Sequence, residues 1–98
     1  MIQVLVHHQV ADYNRWRAVF DAALDFRHHG GEQSCRIFRR AGDPKDLTLL
    51  FDWDSLESAK RYMTSEELRG KMQEAGVIGT PEIHYLAEMY TVRRSAAD

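Results

Sequence analysis

The 98-residue chain holds one cysteine, two prolines and six glycines. It has no apolar run near the ~20 residues that cross a bilayer. Each scarcity removes a class of protein. A lone Cys35 excludes an internal disulfide framework and fits a reducing compartment. In its strand context it reads as a small buried apolar residue, set against the alternative of a reactive thiol. Met1 to Val10 lacks the basic region, apolar stretch and cleavage site of a secretory leader. The expected location is therefore cytoplasmic, with no membrane partner. The net charge is −2, and no basic stripe alternates with aromatics, so no nucleic-acid partner is expected. Arg39-Arg40 and Arg93-Arg94 read as short solvated pairs. No GxGxxG, phosphate loop, HExxH or nucleophile elbow occurs. None of the five histidines is spaced from another as a metal pair on a strand or helix. Neither a metal nor a cofactor is expected.

A composition 44% hydrophobic and 29% charged is that of one globular domain rather than a disordered chain. Ile2 to Val10 alternates as a strand, with Ile2, Val4, Val6, His8 and Val10 on one face and Gln3, Leu5, His7 and Gln9 on the other. Asp12 is placed to cap a helix whose stripe is Tyr13, Trp16, Phe20, Ala23, Leu24 and Arg27, ended by Gly30-Gly31. Ser34 to Arg40 and Leu47 to Trp53 read as a hairpin around Gly42-Asp43-Pro44. Asp54 to Glu57 reads as a capping box that opens a second helix. Thr64 to Glu67 repeats that signal, so this helix is expected to break and restart before ending near Gly76. Val77 to Pro81 reads as a loop, Glu82 to Val92 as the last strand, and residues 93–98 as a polar tail.

Two strand-helix-strand halves give an α+β ferredoxin-like plait, β-α-β-β-α-β, with a four-stranded antiparallel sheet and two helices on one face. The Val4 and Val6 face is the more aliphatic and is the expected helix side. Leu5, Leu50 and either Leu86 or Tyr85, depending on register, then stand on a face the helices cannot cover. Such a patch calls for a second copy of the chain, so a homodimer is expected.

Val6-His7-His8-Gln9-Val10-Ala11-Asp12-Tyr13, followed by Trp16, Phe20-Asp21, Arg27 and Gly30, resembles the opening of dimeric α+β barrel proteins of the antibiotic biosynthesis monooxygenase type. Phe51-Asp52-Trp53-Asp54 with Leu56-Glu57-Ser58-Ala59 resembles the third strand and second helix of that group. Gly76-Val77-Ile78-Gly79-Thr80-Pro81-Glu82-Ile83 resembles its entry to the last strand. The resemblance implies a dimeric α+β barrel with a ligand cavity between helices and sheet. It also implies cofactor-independent monooxygenases, heme-degrading enzymes, isomerases or proteins without activity as relatives. The heme-degrading members place an Asn on the first strand, a Trp on the third and a His on the second helix. Trp53 matches, but the first strand has no Asn and Ser55 to Ala75 has no His.

His8 interrupts an aliphatic row and is the first candidate for a catalytic base, set against a core histidine bonded to a backbone carbonyl or to Asp12. His84 is the second candidate. Trp16, Phe20, Trp53 and Tyr85 are candidates for binding a flat apolar or aromatic molecule, each set against ordinary core packing. Arg27 is set at the polar edge of the first helix, as an exposed ion-pair residue or an anion clamp. Two functions stay open: a cofactor-independent oxygenase or isomerase acting on an aromatic molecule, and a non-catalytic ligand-binding or structural dimer.

Overall fold

The computed structural model describes residues 1–94. Its elements are β1 (Ile2–Val10), α1 (Tyr13–Ala22), α2 (Leu24–Gly30), β2 (Glu32–Arg40), β3 (Asp43–Trp53), α3 (Leu56–Met63), α4 (Glu66–Glu74) and β4 (Val77–Leu86). The strands form one antiparallel sheet in the order β2-β3-β1-β4. This is the split β-α-β plait expected from the sequence. β1 is internal, pairing β3 on one side and β4 on the other.

The alternation of β1 decides the layers. Val4, Val6, His8 and Val10 are buried beneath the helices, while Leu5 and His7 stand on the other face. Val4 pairs Phe51 and Val6 pairs Leu49, so β3 joins the same core. Trp16, Trp53, Ala59, Tyr62 and Met63 close it from above and from the end of β3. Register also settles the last strand: Val4 lies opposite Tyr85 and Gln3 opposite Leu86. Tyr85 therefore faces the helices and Leu86 the open side.

Seven boundaries differ from those expected from the sequence. The first helical arm is broken at Ala23 rather than continuous to Gly30. The Arg27 guanidinium reaches back to donate to the Phe20 carbonyl, and a side chain inserted into a helix ladder is a known cause of such a break. The new phase leaves Leu24 exposed. β2 starts at Glu32 and β3 at Asp43, so the hairpin is longer than predicted. The helix caps fall one residue later than read, on Ser55 and Ser65, whose hydroxyls accept from Ser58 and Leu68 N–H. β4 begins at Val77, not Glu82, because Gly79, Thr80 and Pro81 form an irregularity within the strand instead of a loop. An edge strand tolerates proline at such a bulge. β4 stops at Leu86 rather than Val92, since its partner β1 has reached Gln3 and offers no further ladder. Met89, Tyr90 and Val92 are exposed. Arg93 and Arg94 have no regular structure, and the rest of the expected tail, 95–98, lies outside the described residues. No helix among the described residues is long and apolar enough to cross a membrane.

Gly31 ends α2 at φ 117°, a left-handed conformation that favours glycine. A Cβ there would lie 2.5 Å from Asp54 Oδ1 and 2.7 Å from Trp53 Nε1. Gly31→Ala is expected to lose about 1–3 kcal/mol of stability through backbone strain, read as a lower urea midpoint.

Candidate functional site

A cavity lies between the sheet and the helices. Its floor is Val6, His8, Leu49 and Phe51; its walls come from α1, α2, α3 and α4. Its free volume is about 60 Å³. That holds a few waters, against the ~150 Å³ of a cavity that accepts benzene. A larger cleft, about 450 Å³, opens between α4 and the irregular part of β4, beside Thr64, Ser65, Arg69, Gly79, Thr80 and Pro81. Met63, Leu68, Met72 and Val77 line both spaces and form the partition between them. The larger space does not touch His8, so the smaller one is the chemical candidate despite its size. Met63 and Met72 are unbranched and adaptable, which makes the partition yielding.

His8 is 5% exposed. Its β3 partner is Leu47, whereas on the β4 side the ladder is interrupted between His7 and Gln9. The ring meets Trp16 edge-on, with centroids 5.8 Å apart. Its Nδ1 is buried and has no hydrogen-bond partner among the described residues. Asp12, considered as its partner, instead caps α1 by accepting from Arg15 N–H at 2.9 Å. Burial in apolar surroundings lowers the His8 pKa below 6.5. The imidazole is therefore neutral at pH 7 and able to accept a proton.

From His8 an aromatic ladder runs along the wall. Trp16 stacks on Phe20 at 4.9 Å, and the Arg27 guanidinium carbon sits 3.6 Å from the Phe20 ring centroid. Arg27 is buried, which corrects the exposed edge position expected for it. It donates from Nε to Glu32 Oε2 at 2.7 Å and from Nη1 to the Phe20 carbonyl. Its place in the Trp16, Phe20, Ala23 stripe is the signal for burial that the sequence carries, against its charge. Loss of one member of such a buried pair typically costs about 3–5 kcal/mol, because the other charge is stranded.

The other sequence candidates do not gather here. His84 is on the open face, opposite Leu5, exposed and 3.6 Å from Glu82. Trp53 is fully buried at the end of β3 and donates Nε1–H to the Gly30 carbonyl at 2.9 Å. Tyr85 faces the helices but does not line the cavity. Trp16, Phe20 and His8 do line it. Tyr62, not singled out from sequence, lines it too, and burial raises its pKa so that the phenol stays protonated. The Cys35 thiol, half-buried on the helix side, is pushed up to about 12 by burial. Among the described residues no group of three or more His, Cys, Asp or Glu is placed to hold a metal ion.

His7 and His8 have opposed titrations. His7 Nε2 lies 2.6 Å from Asp46 Oδ1 and Nδ1 lies 3.5 Å from Glu82 Oε1. These carboxylates, Asp46 first, raise its pKa above 6.5 despite some desolvation. Its contribution is fully present below pH 6.5 and is lost as pH rises through the raised value. His8, with its lowered pKa, acts in reverse: the unfolded chain takes the proton first, so stability is lost as pH falls below 6.5. Together the two favour maximum stability near pH 6.5. Urea midpoints across pH 5–8 should flatten on the alkaline side in His7→Gln and on the acid side in His8→Phe.

No family model matches the chain, and no curated protein matches it in sequence. Solved structures do match in shape. A protein from Bordetella bronchiseptica assigned as an antibiotic biosynthesis monooxygenase superposes with TM-score 0.76 at 16% identity, covering 91% of this chain and 97% of that one. SnoaB, a cofactor-independent oxygenase from Streptomyces nogalater, superposes with TM-score 0.76 at 12% identity, covering 95% and 97%. Rv0793 from Mycobacterium tuberculosis gives TM-score 0.64 at 15% identity, covering 94% and 98%. At such identities the shared property is the arrangement of elements. The chain has the ferredoxin-like α+β fold of the antibiotic biosynthesis monooxygenase structures.

Proposed function

We propose that the chain binds a small aromatic molecule beneath its helices and oxidises it with dioxygen without a cofactor, using His8 as the base. The observation that carries this reading is a buried, neutral imidazole with an unpartnered nitrogen in an apolar cavity. A phenol entering the cavity would give its proton to His8, and the resulting anion would donate electrons to dioxygen. For a phenol oxidised to a quinone, the substrate supplies all four electrons. One oxygen atom becomes the new carbonyl and the other leaves as water. The chain's part is to orient the ring against Trp16 and Phe20, exclude water and hold the proton. The fold match to a cofactor-independent oxygenase supports the reading by analogy.

A second reading, a non-catalytic ligand-binding module, is favoured by the small free volume of about 60 Å³. Oxygen uptake with a naphthol probe separates the two. Catalysis predicts turnover that His8→Ala lowers by about 10²–10⁴-fold, with circular dichroism and binding of the probe retained. Binding without uptake in the native chain leaves the non-catalytic module.

We further propose that the open sheet face pairs with a second copy. Phe38 is 47% and Leu86 39% exposed there, beside the half-buried Leu5 and Leu50. Two such sheets face to face would cover these apolar groups, within a total interface on the order of 1,600 Å². Sedimentation at micromolar concentration should give twice the 11.4 kDa chain mass, and Leu50→Lys should shift it toward the monomer.

A further inference from the structure

We propose that the cavity selects ligands carrying a negative charge, and that Lys71 is the specificity-determining residue that pairs with it. This rests on the reading that the cavity holds an aromatic molecule, and it adds the class: an aromatic carboxylate, its carboxylate at Lys71 and apart from any group that reacts at His8.

The argument is an inventory of charge. No carboxylate lines the cavity; its ionisable residues are His8, Arg27, Tyr62 and Lys71. His8 is neutral through burial, and Tyr62 stays protonated for the same reason. The Arg27 charge is matched by Glu32 at 2.7 Å, and Nη1 donates to the Phe20 carbonyl. One positive charge is left over, on Lys71.

Lys71 is half-buried on α4. Its side chain lines the cavity, and its ammonium nitrogen lies 5.0 Å from the centroid of the Phe26 ring on α2. The side chain thus spans from one helical arm to the other at the cavity roof. Among the described residues no carboxylate stands within 4.0 Å of it. Glu67 and Glu74, one turn to either side on α4, are exposed. The ammonium rests on an aromatic face, a weak partner compared with an anion. In an apolar, half-buried site an anion would gain more from this charge than it would on the fully solvated surface. With its acidic group at Lys71, a ligand has its ring directed inward, toward Phe20, Trp16 and His8.

Titration calorimetry with 2-naphthoate and its neutral counterpart 2-naphthamide tests the assignment. Lys71→Met keeps the apolar stem and should weaken naphthoate by about tenfold, the worth of one charged hydrogen bond. Naphthamide affinity should change by less than about twofold, and Lys71→Arg should recover most of the naphthoate affinity. Added salt should weaken naphthoate in the native chain and not in Lys71→Met. Naphthamide binding together with naphthoate affinity indifferent to Lys71 overturns the proposal alone. Equal weakening of both molecules does the same, because it marks a packing role. Failure of both to bind the native chain overturns the proposal and the aromatic-ligand reading together.

Discussion

The parity of β1 is the constraint from which the other features follow. An internal strand with one helix-covered face leaves each side chain no choice of environment, and a slip of one residue would exchange the faces. Val4, Val6 and Val10 are inside because His7, Gln9 and Leu5 are outside. The same parity separates two neighbouring histidines by the thickness of a sheet. His8 enters an apolar cavity and loses basicity, while His7 meets Asp46 and Glu82 and gains it. Identical side chains, adjacent in sequence, thereby take opposite electrostatic roles.

Charge within the helix layer follows a second rule: a buried cation requires a fixed acceptor. Gly31 turns the chain so that Glu32, the first residue of β2, meets Arg27, five residues earlier. The turn is tight enough that Asp54 and Trp53 occupy the space a side chain would need. Trp53 in turn satisfies the Gly30 carbonyl. The end of α2, the start of β2 and the end of β3 are therefore one packed unit. It holds the Arg27 guanidinium against Phe20, at the cavity wall.

The features legible from the sequence were those set by local chemistry. The period of β1, the glycine stop at Gly31 and the restart of the second helical arm each depend on residues within a few positions. The fold class followed from their order. What escaped depends on distant partners. Ala23 carries no breaking residue, and the helix breaks there where Arg27 bonds back to Phe20. Gly79, Thr80 and Pro81 have the composition of a loop, yet β1 holds both their flanks in register. His84 and Tyr85 were ambiguous until pairing with Leu5 and Val4 assigned them to faces. Lys71 gave no periodic signal at all, because its significance lies in what α2 places across from it.

The irregularities of the fold are concentrated around one volume. The break at Ala23 and the break between α3 and α4, from Met63 to Leu68, both border the inner cavity or its outer cleft, and Gly79 to Pro81 border the cleft. A plait with unbroken helices and a straight β4 would lay its side chains in continuous ridges and fill this region, as close-packed interiors do. Each interruption removes one ridge. The first arm turns away after Phe20, the second changes direction at Thr64 and Ser65, and the edge strand bulges beside the residue that flanks His8. A buried imidazole with open space beside it needs such local failure of packing, since the surrounding core would otherwise close over it. The regular part of the sheet, from Val4 to Leu49 and Phe51, supplies the fixed floor on which the His8 ring is held.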